Sequence, residues 1–244
     1  MTLVAAATLS FSDPAGDAHG DGGYVLPLRP AVSAEALDLR SFEVEVEGRT
    51  TRLTVDFGGH QNPWRLPSGF SSGVTDIFIK TDAGGERDLK GLGLRTAGSD
   101  GWQYHIQVDG ARPLLEQVLG SQRRTLTPPE VEMNGTRLVI ETDQLPTGKH
   151  AYWVTSSVYT PLSPDGRMRP DPSPNASGLQ ALGEGRPVPV DVLAAPGDRR
   201  AYTNGTLAAV GQTRDWRLAT LMALGALGLG LTGLSVWRSW RQGA

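Results

Sequence analysis

The stretch Phe42-Glu43-Val44-Glu45-Val46-Glu47 is followed, past Gly48, by Arg52-Leu53-Thr54-Val55-Asp56-Phe57. Both alternate apolar and polar residues, the period of a half-buried β-strand with one wet face. The Glu47-Gly48-Arg49-Thr50 link supplies a tight turn, so the two runs predict an antiparallel hairpin. Working outward, further strands are predicted at residues 74–81, 102–108, 137–142, 151–159 and 188–193. Asn134-Gly135, between Val131 and Leu138, is a two-residue hairpin signal. Residues 113–122 suit either a short helix or a long strand, and the proline-rich 161–189 segment reads as a long loop on the binding face. The pattern predicts an all-β fold, an antiparallel β-sandwich of jelly-roll type.

Composition agrees. With 31 Gly and 17 Pro in 244 residues, a mainly helical protein is excluded. The absence of cysteine excludes a disulfide scaffold, thiolate metal sites and cysteine catalysis. Net charge is −3, but residues 1–150 carry 14 basic and 20 acidic groups, which argues against nucleic-acid binding.

The C-terminus departs from this composition. Residues 218–237 (LATLMALGALGLGLTGLSVW) run without a charge for about 30 Å of helix, the thickness of a bilayer core. Arg217, Arg238 and Arg241 flank the run, with Trp216, Trp237 and Trp240 at interfacial positions. Ala219, Ala223, Ala226, Gly230 and Gly233 share one helix face, a stripe suited to self-association or to a partner helix. A buried core helix is the competing reading; the flanks favour the membrane. The expected organisation is a sandwich over 1–195, a stalk over 196–215, a transmembrane helix over 216–238 and a short tail over 239–244. Residues 1–11 lack a basic n-region and read as a first strand, and arginines on both sides of the helix leave orientation undecided by charge.

The densest polar stretch is Asp13-Pro14-Ala15-Gly16-Asp17-Ala18-His19-Gly20-Asp21-Gly22-Gly23-Tyr24. Carboxylates spaced by four in a glycine-rich loop can converge on one hard cation such as calcium. The same residues also suit an Asp/Gly turn whose carboxylates accept backbone amides.

This loop, with Pro27 and Asp38-Leu39-Arg40-Ser41-Phe42, resembles the opening of the C-terminal binding module of glucodextranase-like proteins. That pattern is close to D-P-x-G-D-D-x-G-P-G-x-Y-x-Y-P, then D-L-x-x-F. The likeness continues through Asn62-Pro63-Trp64, Gly69-Phe70-Ser71, Asp76-Ile77-Phe78-Ile79 and Gly101-Trp102 to Val190-Asp191-Val192-Leu193 and Pro196-Gly197, roughly residues 8–200. Such modules are similar to family 9 carbohydrate-binding modules and DOMON-like sandwiches. The resemblance implies an extracytoplasmic module at the cell membrane, a carbohydrate ligand such as a cell-wall glycan, and a structural calcium. Asp13, Asp17 and Asp38 carry over as ligands. Ala18 stands where the family has a second Asp, and Asp21 where it has a proline, so one oxygen is lost and another gained.

Trp64 and Trp102 are the candidate sugar-stacking rings, with Tyr104 and Trp153 behind them; for the in-strand tryptophans a core role competes, and for Trp64 a loop-anchoring one. Gly69-Phe70-Ser71-Ser72-Gly73 matches a nucleophile-elbow pattern but lacks the strand–turn–helix context, so no catalytic serine is expected. No carboxylate spacing singles out a glycosidase pair. The sequence therefore predicts a non-catalytic, membrane-anchored binding module, for which the resemblance implies a carbohydrate ligand. The competing class is a structural envelope protein whose sandwich binds a protein partner.

Overall fold

The computed structural model describes residues 7–99, 101–120 and 122–211. The predicted membrane helix and tail lie outside these residues; among the described ones, no helix is long and apolar enough to cross a membrane.

Two antiparallel sheets form the body. Their strands are β1 (Ala7–Ser12), β2 (Leu39–Glu47), β3 (Thr50–Phe57), β4 (Gly73–Lys80), β5 (Tyr104–Val108), β6 (Leu114–Leu119), β7 (Gln122–Thr125), β8 (Glu130–Asn134), β9 (Arg137–Thr142), β10 (Ala151–Val158), β11 (Asp191–Val192) and β12 (Val210–Gly211). The 5-stranded sheet runs β1-β2-β3-β9-β8. The 7-stranded sheet runs β7-β6-β5-β4-β10-β11, with β12 also pairing β10. The β2–β3 hairpin forms in the expected register, Val44 opposite Leu53 and Phe42 opposite Val55. Gly48 and Gly135 turn their hairpins at φ of 61° and 65°, where an L side chain would be strained. The 113–122 segment resolves as strand: β6 and β7 pair as a hairpin at the edge of the larger sheet.

The first core lies between the sheets, where Phe42, Val44, Leu53 and Val55 meet Ile77, Ile79, Ile106, Tyr152 and Val154. A second core covers the opposite face of the larger sheet. There Phe78, Trp102 and Trp153 pack with Leu89, Leu92, Leu94, Val188 and Val192. Both faces of β4 and β10 are thus buried, which is why their sequences do not alternate cleanly. A third cluster of Ala18, Tyr24, Leu37, Val158, Leu179 and Val190 closes one end.

The 161–189 segment is a cover for the larger sheet. Its anchor is Arg167, 2% exposed, which donates from Nε to Asp76 Oδ2 at 3.0 Å and from Nη2 to Gln107 Oε1 at 2.8 Å. Arg167 Nη1 also reaches Asp165 at 2.8 Å, and His105 Nε2 donates to Asp76 Oδ1 at 2.7 Å. Burial alone would raise the Asp76 carboxyl, but Arg167 and His105 outweigh it and hold it below the usual range. Residues 196–211, read from the sequence as a stalk, are packed instead. Ala201 and Leu207 are buried, Val210 pairs with Tyr152, and Leu207 O accepts the Trp153 indole N–H at 3.0 Å.

Arg167→Ala leaves Asp76 charged, buried and unmatched. Chemical denaturation should record a loss of about 3–5 kcal/mol, with proteolysis increased inside 161–178. The paired change Asp76→Leu with Arg167→Met should recover most of that loss. Equal instability of the single and paired variants would refute the assignment.

Candidate functional site

The Asp13–Tyr24 loop folds against the 190–194 segment. Gly20 N–H donates to Val190 O at 2.8 Å, and Ala194 N–H donates to Asp13 Oδ1 at 2.7 Å. This brings Asp13, Asp17 and Asp191 together, with one carboxylate oxygen from each within 4.8 Å of the others. Asp191 is buried and accepts Leu39 N–H at 2.7 Å and Val192 N–H at 2.8 Å. Asp13 Oδ2 and Asp17 Oδ1 are shielded from solvent and have no hydrogen-bond partner. The Tyr202 hydroxyl is also unpartnered and lines the adjoining cavity of about 50 Å³ with Asp17, Asp21 and Asp191.

Two of the four predicted acidic ligands lie beside this group of three carboxylates but outside it. Asp38 is fully buried and engaged: its carboxylate accepts Gly16 N–H at 2.9 and 3.1 Å and pairs with Arg40 Nη2 at 2.6 Å. It clamps the loop from below, the amide-accepting role that the turn reading describes. Asp21 turns toward Arg199 Nε, 2.9 Å away, at a φ of 57°. Ala18, where the family pattern has an acidic residue, is fully buried in the third apolar cluster. Asp191 is the residue that the loop's own sequence could not reveal.

Burial is the main reason the cluster's carboxyls hold their protons. It pushes Asp191 up to about 9, aided by Asp13 and Asp17, and Asp13 up to about 8, aided by Asp17 and Asp38. Asp17 shifts the same way, from burial first and then from Asp38 and Asp21. Three converging carboxylates, two with orphaned oxygens, form an all-oxygen donor set that fits a hard divalent cation.

The predicted aromatic pair is not brought together. Trp102 has no face open to solvent: its indole N–H donates to Asp88 O at 2.9 Å and its ring lies 5.1 Å from Phe78. Its reading as a sugar-stacking surface is corrected, because the outer face of the larger sheet is itself a core. Trp64 is half-buried in the 58–70 loop, on the side of the first core through Phe70. Its backbone N–H donates to Ser71 Oγ at 2.9 Å, and Ser71 in turn donates to Asn62 Oδ1 at 2.6 Å. Ser71, 0% exposed, braces that loop and is closed off from solvent.

The family model for the C-terminal, SLH-like binding module of glucodextranase matches residues 8–167. The chain belongs to this family. The matched module is a binding module and not a catalytic domain, in keeping with the braced Ser71. The match ends at Arg167, so it includes Asp13, Asp17 and the buried Asp76–Arg167 pair but stops short of Asp191. No curated protein matches the chain.

The raised carboxyls set a pH dependence. Each binds its proton more tightly folded than unfolded, so their contribution is complete below the ordinary value of about 3.9. It is lost as pH rises through about 8 and 9. In chelator, the melting temperature should therefore fall between about pH 5 and pH 9, and Asp191→Asn should flatten the fall. Identical profiles for the two proteins would contradict the arrangement.

Proposed function

We propose that the protein is a non-catalytic carbohydrate-binding module of the cell envelope, tethered by the helix of residues 216–238, with calcium held by Asp13, Asp17 and Asp191 as a structural clip. The observation that carries the binding reading is membership of a glucodextranase binding-module family across residues 8–167. The tether rests on the uncharged 218–237 run and its Arg and Trp flanks. The extracytoplasmic side of the membrane is the one the family resemblance implies for such a module, and polysaccharide or cell-wall glycan is the ligand class it would meet there.

The calcium reading is supported by the two orphaned carboxylate oxygens and by Asp191 beside them. Bound calcium would offset two of the cluster's three negative charges and fasten the Asp loop to the 190–194 segment. Asp21 and Asp38 act around that site, in the contacts to Arg199 and to Gly16 and Arg40.

A second reading has its own observation. Val25, Leu28 and Leu182 are exposed at 46%, 68% and 53% around the small sheet of Tyr24–Val25, Leu179–Ala181 and Pro170–Asp171. Such an apolar patch suits a protein partner in the envelope.

Calorimetric titration of calcium into the full chain should give a saturable heat. It should add about 2.7 kcal/mol of stability at a hundredfold excess over Kd, more at pH 8 than at pH 5 because the ligands must ionise. Asp17→Ala and Asp191→Asn should abolish both effects; no heat with the unaltered chain would refute calcium. For the ligand, saturable retardation of the full chain on gels containing polysaccharide supports carbohydrate binding. No retardation, with a stoichiometric envelope protein co-purifying, would favour the second reading.

A further inference from the structure

An open groove of about 730 Å³ lies at the edge of the larger sheet, away from both the Asp cluster and Trp64. It is bounded by residues 81–86 on one side and by the β6–β7 hairpin on the other. Its volume falls within the roughly 300–1,000 Å³ of small-ligand sites. We propose that this groove is the saccharide site and that it accepts a short stretch of neutral glycan. The proposal rests on the carbohydrate-binding reading above and gives it a location and a ligand charge.

The chemistry of the lining is the argument. Tyr104 and Val118 line the groove with only 8% and 6% exposure, the first packed in the core between the sheets and the second in the core on the opposite face. Leu119, 56% exposed, therefore supplies the open apolar contact. The Leu119 side chain offers an apolar contact to the C–H face of a pyranose ring. Around it stand Asp82, Glu86, Gln117 and Arg123, side chains whose planar groups donate or accept in pairs, as neighbouring sugar hydroxyls do. Gln117 Nε2 donates to the Tyr104 hydroxyl at 2.7 Å, which fixes the amide and turns the phenol's own O–H toward other acceptors. Two carboxylates against one guanidinium leave the groove without the excess positive charge that an anionic polymer would need.

The walls are held in place before any ligand arrives. Residues 84–86 and 101–102 are joined backbone to backbone: Glu86 N–H to Trp102 O at 2.9 Å, Trp102 N–H to Glu86 O at 2.9 Å, and Gly101 N–H to Gly84 O at 2.7 Å. A Cβ on Gly101 would stand 2.1 Å from Glu86 O, so only glycine permits that approach. Gln103 locks the neighbouring turn, accepting Thr81 N–H at 2.9 Å and donating to Asp82 O at 3.1 Å. Arg123 is positioned twice, by its ion pair with Glu86 and by its guanidinium carbon 5.6 Å from the Trp102 ring centre. The buried Trp102 thereby serves the groove from behind. A site whose polar groups are already fixed loses little entropy on binding.

The test is affinity electrophoresis of the full chain on a neutral glucan (soluble dextran or glycogen), an anionic polysaccharide (polygalacturonate) and solubilised cell-wall glycan, run with Gln117→Ala, Arg123→Ala and, as a distant surface control, Leu162→Ser. Thermal melts confirm that each variant is folded. The expected result is retardation by the neutral polymer, weakened about tenfold or more in each groove variant and unchanged in the control. Undiminished binding by folded Gln117→Ala and Arg123→Ala overturns the groove while leaving the carbohydrate-binding reading standing. Preference for the anionic polymer overturns the charge argument and hence this site. No retardation on any of the three overturns the carbohydrate reading, and the groove falls with it.

Discussion

Asp76 reaches the outer face of β4 where water cannot follow, and Arg167 meets it there with two donors. A buried ion pair of this kind adds little net stability, because desolvating both charges offsets most of their attraction. What it does add is position. An unmatched carboxylate under the cover would be costly, so residues 161–189 are held to the one arrangement that brings Arg167 over Asp76. Asp165, Gln107 and His105 use the remaining hydrogen-bonding capacity of the pair. With that segment in place, Val188 and Val190 drop into the second and third cores, and Asp191 arrives beside the Asp loop.

The two candidate sites therefore depend on the cover in different ways. The acidic cluster is assembled by it: Asp13 and Asp17 lie near the start of the chain, and the third carboxylate comes from β11, close after the cover. The groove at the opposite edge draws on the second core beneath the cover, through Trp102 and the backbone ladder of residues 84–86 with 101–102. Calcium at the first site would stiffen the module, and the second offers the open, mixed surface that a hydroxyl-rich ligand needs.

How far the sequence could be read follows from the range of each signal. Phe42 to Phe57 was legible because one wet face leaves a period of two, and Asn134-Gly135 because its turn chemistry is local. β4 and β10 were recognisable as strands, but not the side to which Trp153 or Phe78 points, since both their faces are buried. The same second core decides between the two readings of Trp102, ligand platform or core residue, in favour of the core. Asp13 and Asp17 stood out within one loop, whereas Asp191 sits in a two-residue strand whose role depends on long-range packing. Arg167 in a proline-rich segment reads as a surface arginine, and nothing local indicates the buried Asp76 that it meets. Asp38 could be located but not assigned: its tie to Gly16 and Arg40 depends on how the loop closes.

The proposed module would meet its ligand in the fixed groove, with the half-buried Trp64 of the 58–70 loop as the competing surface. Amide hydrogen exchange of the full chain, with and without saturating soluble glucan, tests this most directly. The account predicts ligand-dependent protection concentrated in residues 81–86 and 117–123, with residues 58–70 unchanged. Protection centred on residues 58–70, with none at the groove, would contradict it.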